Sequence, residues 1–309
     1  MRVLVTGGAG FIGSHVVDAY LDAGWDVSVV DNLSTGNRAN LNPRATFHNM
    51  DIRDPALRDV LARERPDVVN HHAAQSSVPV SISDPRLDAD VNILGTLHLF
   101  DACRQLGVRR IVYASTGGAL YGNPEHIPAG EDEPIRPLAP YGVSKYAGEH
   151  YLRVLAGDGT PWAVLRYSNV YGPRQDPFGE AGVVAIFTRA LLEGRAPTIF
   201  GDGTQTRDFV YVGDVAQANL LAATIGTSGV ANIATGTETS VNEIHGALVA
   251  LTGFAQPPVH AAAREGEVYR VALDVARARA WLRWTPSTTI AEGLRRTTEW
   301  FRTIQPRSR

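Results

Sequence analysis

Arg2-Val3-Leu4-Val5-Thr6-Gly7-Gly8-Ala9-Gly10-Phe11-Ile12-Gly13 stands at the start of the chain, and the fold turns on how this stretch is read. Arg2–Thr6 is a short β-rich run, and the glycines fall where such a strand would give way to a helix starting at Phe11. Gly7 permits a tight turn, Gly10 lets the backbone approach a pyrophosphate with no Cβ in the way, and Gly13 allows close helix-to-strand packing. The helix N-terminus then offers unpaired N–H groups and positive partial charge. The spacing is Gly-x-x-Gly-x-x-Gly rather than Gly-x-Gly-x-x-Gly, and glycines alone could be an ordinary turn. The strand-to-helix context is what makes them a dinucleotide site.

Working outward, short β-branched runs at Asp26–Val30, Thr46–Met50, Asp67–His71 and Arg110–Ser115 alternate with helical segments at Phe11–Ala23, Pro55–Glu64 and Pro85–Leu106. A helix from Tyr141 to about Leu155 and a strand at Trp162–Tyr167 continue the pattern. Such βαβ alternation predicts an α/β fold with a doubly wound parallel sheet and ligands at the carboxyl ends of its strands. Beyond Gly172 the pattern loosens, so the expected division is a Rossmann-type dinucleotide-binding domain over 1–171 and a smaller substrate domain over 172–309. Residues 206–236 could return to the first sheet.

Asp31 ends the second strand, where the adenosine ribose should lie. A carboxylate there accepts from the ribose hydroxyls and repels a 2′-phosphate, which favours NAD over NADP; a turn-capping Asp is the plainer alternative. Asp51-Ile52, after the third strand, are candidates for the adenine edge. Ala73, Ala74 and Gln75 follow a buried strand and are expected to line the cofactor cleft. His71 and His72 precede them; adjacent strand residues point to opposite faces, so no shared metal is expected.

The 309 residues include 29 basic and 32 acidic ones, for a net charge of −3, and Lys145 is the only lysine among the basic residues. In a chain that otherwise uses Arg throughout, the one Lys invites a chemical explanation. It falls four positions after Tyr141, one turn along the same helical face. An ammonium beside a phenol favours the phenolate and is expected to lower its pKa, while its donors can hold the nicotinamide ribose. A compact ammonium fits between ribose and phenol where a planar guanidinium would be bulkier. The rest of the composition excludes rather than identifies. The near-balanced charge argues against nucleic acid or an anionic membrane as main partner, and no apolar stretch approaches the roughly 20 residues of a membrane helix. A single cysteine, Cys103, excludes an intrachain disulfide. The expected compartment is the cytoplasm.

Gly7–Gly13, Asp31, Ser115-Thr116, Tyr121-Gly122 and Tyr141-x-x-x-Lys145 together resemble the extended short-chain dehydrogenase/reductases. More closely, the chain resembles the NAD-dependent UDP-glucose 4-epimerases, also called UDP-galactose 4-epimerases. The resemblance extends to Leu165–Asn169, Gly172-Pro173-Arg174 and Arg207–Val212. It implies a reversible redox cycle in which Tyr141 removes the proton of the sugar 4-hydroxyl as hydride passes from C4 to tightly held NAD. The 4-keto sugar then turns over and takes the hydride back on its other face. The resemblance also assigns Phe11, Ile12, Asn32, Asn92, Ser115 and Tyr167 to the cofactor. Asn169, Val183, Phe200, Arg207, Arg264 and Glu267 go to the UDP-sugar, the two Arg residues forking onto its diphosphate. Val271 aligns with a site where a bulkier residue limits sugar size, which raises acceptance of N-acetylated hexosamines as an expectation.

One departure concerns the catalytic hydroxyl. Relatives place a Ser or Thr five residues before the Gly of the Tyr-Gly pair, and that position here is Gly117. A bulge at Gly117-Gly118 would bring Thr116 to the usual place, with Ser115 as the competing candidate. Sugar-nucleotide 4,6-dehydratases follow their Thr with an acidic pair, which this chain lacks. Epimerisation is thus the leading reading. Another NAD-linked sugar-nucleotide epimerase, dehydrogenase or decarboxylase, or a non-catalytic dinucleotide sensor, are the alternatives.

Pro85–Leu106 carries apolar residues on more than one helical face, so it is expected either under a long loop or at a subunit interface. The resemblance favours a homodimer formed by this segment and the Tyr141–Leu155 helix. Trp281, Trp284, Trp300 and Cys103 are expected in the core or at an interface.

Overall fold

The structure, a computed structural model, describes residues 1–157, 159–178, 182–254, 256–263 and 268–304. Six strands follow one another through the first half: β1 (Arg2–Thr6), β2 (Asp26–Asp31), β3 (Thr46–Asn49), β4 (Val68–His71), β5 (Arg110–Thr116) and β6 (Trp162–Tyr167). β7 (Asn169–Tyr171), β8 (Thr198–Phe200), β9 (Thr206–Arg207), β10 (Phe209–Tyr211), β11 (Gly229–Ile233), β12 (Thr239–Ser240) and β13 (Val259–Ala261) are mostly shorter. The main sheet has seven strands in the order β11-β6-β5-β4-β1-β2-β3, all parallel. Its inner strands are nearly continuous runs of Val, Leu and Ile because both faces are covered.

The helices of the first half are α1 (Phe11–Asp22), α2 (Leu57–Glu64), α3 (Val78–Ser83), α4 (Pro85–Ala89), α5 (Thr96–Gln105) and α6 (Pro140–Ala156). Beyond them come α7 (Val183–Leu192), α8 (Val212–Thr224), α9 (Val241–Thr252), α10 (Ala276–Leu282) and α11 (Ile290–Thr303). One face of the sheet packs Val5, Val29 and Leu165 with Val16 of α1 and Val215 of α8. The other packs Leu4, Val69 and Ile111 with Leu61 of α2, Phe100 of α5 and Leu152 of α6. A third apolar cluster joins Tyr171, Phe187, Ile199, Phe209, Ile244 and Leu294 in the second half of the chain. β11 returns to the edge of the main sheet beside β6, while β9 and β10 pair with β12 and β7 outside it.

After β1 the chain moves to β2 and β3 on one side, then crosses to β4 on the other, so the strand order reverses between β1 and β4. The carboxyl ends of those strands carry Gly7 and His72-Ala73, and this is where such sheets place their ligands.

The helix expected over Pro85–Leu106 is interrupted. α4 runs into a π turn over Asp90–Gly95 before α5 resumes. Its cause is tertiary: buried Asn92 turns inward, where its Oδ1 accepts from Gln75 N at 2.8 Å and its Nδ2 donates to Gln75 O at 2.8 Å and Asp88 Oδ1 at 3.0 Å. Wide turns of this kind recur at functional sites. Leu99, Phe100 and Cys103 face the core, whereas Leu87 and Leu94 lie exposed. Trp284 is buried with its Nε1 donating to Asp214 O, and Trp281 donates to Thr227 Oγ1.

Candidate active site

The glycine turn closes as its residues require. A Cβ on Gly13 would lie 2.1 Å from Gly7 O, and one on Gly7, whose φ is +71°, would meet Ala73 N at 2.7 Å. Gly10 caps α1 with no side chain, so the N–H groups of the first turn, at Phe11 and Ile12, have no side-chain acceptor. Asp31 Oδ2 accepts from Ala9 N at 3.0 Å and its Oδ1 from Leu33 N at 2.8 Å. The carboxylate therefore holds the turn as well as standing at the strand end beside it. An open helix N-terminus, a backbone cradle without Cβ atoms and an adjacent carboxylate fit the diphosphate and ribose of NAD.

Around this turn the expected cofactor residues divide. Asp51 holds Arg53 through both carboxylate oxygens and accepts from Asn32 Nδ2 at 2.8 Å, which keeps its carboxyl well below the usual range. Ile52 packs its side chain into the core against Gly95. The Tyr167 hydroxyl accepts from Asn219 Nδ2 at 2.8 Å and lies 3.1 Å from His72 Nε2 on the α8 side of the core. Gln75 spends its side chain on Ser77 and Asp88, and Ala73 N donates to Thr6 Oγ1 at 3.2 Å. His71 bonds to the hydroxyls of Thr6 and Thr96 on the opposite face from His72. Burial drives both imidazoles down, His72 to about 3, so each is neutral.

At the end of β5 the N–H groups of Gly117 and Gly118 both donate to Tyr167 O, at 2.7 and 3.3 Å. Two consecutive donors on one carbonyl are the mark of a bulge. Thr116 Oγ1 accepts from Ala119 N at 3.2 Å, which leaves its own proton for another acceptor. Ser115 differs: it donates to Glu149 Oε1 at 2.5 Å, inside a buried ion pair in which Arg166 also grips Glu149.

α6 lies tightly on this strand end because two interior glycines allow it. A Cβ on Gly142 would meet Ala119 O at 2.5 Å, and one on Gly148 would meet the Tyr113 hydroxyl at 2.3 Å. The turn whose Ala119 N–H donates to Thr116 is thus in contact with the residue after Tyr141. Lys145 is 3% exposed with its Nζ 4.3 Å from the centre of the Tyr113 ring, and no carboxylate pairs with it among the described residues. Burial pushes its ammonium down to about 7, against the raising fields of Glu149 and Asp88. Burial, with Asp88 adding, pushes the Tyr141 phenol up to about 12. The expectation that Lys145 lowers the phenol's pKa is therefore corrected for the protein alone: desolvation outweighs any help from an ammonium that sits over Tyr113.

Toward the second half, Asn169 begins β7, with its Oδ1 3.7 Å from where a Gly118 Cβ would stand. Val183 begins α7, and Phe200 ends β8. Arg207 lies on β9 and donates to Thr206 O at 2.8 Å. Arg264 and Glu267 lie outside the described residues. Val271 is buried in the core cluster, so its size is set by packing there. Sequence reasoning passed over Asp88, buried one turn before Asn92, and Asp208, which accepts from Thr235 N, Gly236 N and Leu273 N. A carboxylate one helical turn from a cleft Asn was the available sign for the first.

The fold and this cleft define a doubly wound dinucleotide-binding protein of the kind that carries a Tyr and a Lys one turn apart. A family profile described as the NAD dependent epimerase/dehydratase family matches residues 3–234, and the chain belongs to that family. It is 45% identical to a UDP-glucose 4-epimerase of Mycolicibacterium smegmatis, over 98% of this chain and 99% of that one. A solved UDP-glucose 4-epimerase of Thermotoga maritima, with UDP-glucose, superimposes with a TM-score of 0.96 at 47% identity, covering 98% of this chain and 99% of that chain. A Thermus thermophilus UDP-glucose 4-epimerase in complex with NAD gives 0.93 at 46%, covering 99% and 100%.

Proposed function

We propose that this protein interconverts UDP-glucose and UDP-galactose at C4, using NAD held in the cleft between β1 and β4. The observation that carries the reading is the packing of the Thr116–Ala119 turn on the Tyr141–Lys145 helix at Gly142, with two glycines rather than acids after Thr116. Without an acid and a base at 117 and 118, no residue there can take water out of the sugar, so the 4-keto sugar is left to return.

When bound, NAD would supply the hydride acceptor and donor for C4 and positive charge in the cleft. Tyr141 accepts the proton of the 4-hydroxyl as the C4 carbonyl forms and gives it back when the carbonyl is reduced. Burial holds its phenol up in the protein alone, and positive charge entering the cleft beside Lys145 would favour the phenolate. Thr116 holds O4 with a proton that no other group claims. The residues proposed to bind NAD are Gly7, Gly10, Phe11, Ile12, Gly13, Asp31, Asn32, Asp51, Ile52, Ala73, Ala74, Gln75, Asn92, Ser115, Tyr141, Lys145 and Tyr167. Asn169, Val183, Phe200 and Arg207 receive the UDP-sugar.

The working form is a homodimer, supported by the exposed apolar side chains of Leu87, Leu94, Val143, Tyr151 and Val154. On α6 the last three recur at helical spacing along one stripe. The cytoplasm suits a chain with one buried thiol, and among the described residues no helix is long and apolar enough to cross a membrane. Incubation with UDP-glucose, followed by proton NMR of the sugar, tests the activity: UDP-galactose must appear without net NADH.

A further inference from the structure

Asp88 is a carboxylate 1% exposed on α4, and among the described residues no Lys, Arg or His pairs with it. Its Oδ1 accepts only from two amides, Gln75 Nε2 at 3.1 Å and Asn92 Nδ2 at 3.0 Å. The same Asn92 Nδ2 reaches Ser144 Oγ at 3.2 Å, and Ser144 in turn donates to Tyr141 O. Ser144 is the residue before Lys145, so a single amide connects the Asp88 carboxylate to the helix turn that bears the reactive pair. A buried anion without a cation is costly, and so is a buried cation without an anion. Here one of each lies on facing helices of one site.

We propose that Asp88 is a positioning residue whose charge keeps Lys145 an ammonium in the closed, dry cleft. The groups facing Lys145 are few. On α6 they are Tyr141 and Glu149; on β5, Tyr113; at the end of β4 and just after it, the neutral His71 and His72. Glu149 is held by Arg166 through both carboxylate oxygens, which offsets its charge. Asp88 is the carboxylate whose charge is not so offset, and it raises Lys145 through space. The same field opposes the Tyr141 phenolate, so Asp88 favours the state in which Lys145 is charged and Tyr141 is not until substrate and cofactor arrive.

The composition makes the test direct. Lys145 is the only lysine, so protein grown on ε-carbon-13 lysine and purified without a lysine-bearing tag shows a single labelled ε-methylene. Its shift, followed with pH in the ligand-free protein, reads the protonation of that one ammonium. The expected midpoint is near 7 in the wild type, lower by about 1 unit in Asp88→Asn and close to wild type in Asp88→Glu. Asp88→Ser, equally neutral, gives the same reading if the Asn variant does not fold by near-ultraviolet circular dichroism. An unchanged midpoint in a folded neutral variant overturns the proposal. The proposal rests on the epimerase reading only for its catalytic meaning; the titration stands whatever the substrate, so failure of one is distinguishable from failure of the other.

Discussion

Ser115 donates its hydroxyl proton to Glu149 Oε1 at 2.5 Å, while the neighbouring Thr116 leaves its proton unclaimed beside the glycine bulge. The two adjacent hydroxyls therefore have different tasks. Thr116→Val is expected to lower kcat by about 100-fold or more, the usual range for loss of an acid–base partner at a reacting oxygen. Ser115→Ala leaves Glu149 one donor short and is expected to cost about 1–2 kcal/mol of stability with most of kcat retained. Steady-state kinetics beside urea denaturation separates the two outcomes, and the reverse pattern would reassign the hydroxyl.

Lys145→Arg keeps the charge but places a planar guanidinium where 3% of the side chain is exposed and the Tyr113 ring lies 4.3 Å from the ammonium. Overpacking and misplaced donors are expected to cut kcat by at least about tenfold. A variant turning over at the wild-type rate would make the lysine incidental.

Gly13→Ala sets a Cβ 2.1 Å from Gly7 O, backbone against backbone, with no flexible side chain to give way. The turn must open, so NAD affinity measured by fluorescence titration is expected to fall by about 100-fold or more, beyond any loss in melting temperature.

Acid stability follows from the buried imidazoles. Burial, with Arg174 adding, holds His15 at about 4, and burial holds His72 at about 3. Between the ordinary value of 6.5 and those figures the unfolded chain takes up protons that the folded chain refuses. Stability is then full above pH 6.5 and falls as the pH drops toward 4. His15→Gln, whose amide can still reach Pro173 O, is expected to flatten that fall by about 2 kcal/mol in denaturation curves at pH 7 and 5. Identical slopes in variant and wild type would show that His15 titrates normally.

Val154 is 76% exposed on the apolar stripe of α6. Val154→Arg is expected to yield a monomer by analytical ultracentrifugation, where the proposed homodimer predicts that the wild type sediments as a dimer. A wild-type monomer would remove that part of the account.

Much of this was legible in the residues because it depends on local rules. Strands buried on both faces are apolar runs, the glycines and Asp31 sit at strand ends, and a single Lys stands out against many Arg. What escaped depends on partners distant in sequence. The π turn at Asp90–Gly95 exists because Asn92 reaches Gln75 and Ser144, which no helical periodicity encodes. Position along the chain likewise does not show that the Ile52 and Tyr167 side chains pack into the core. The direction of the Tyr141 shift escaped because it turns on desolvation, a property of the closed fold and not of the four-residue spacing. Ser115 stood as the competitor to the favoured Thr116 until Glu149, 34 positions away, claimed its proton.

The central claim is that Tyr141 and Lys145 serve a reversible oxidation at C4 and not a net one. Proton NMR of the purified protein with UDP-glucose and catalytic NAD tests it most directly. The account predicts UDP-galactose approaching equilibrium with no accumulated NADH, and loss of about 100-fold or more in rate for Tyr141→Phe. Unchanged UDP-glucose, or sugar consumed with stoichiometric NADH, would contradict it.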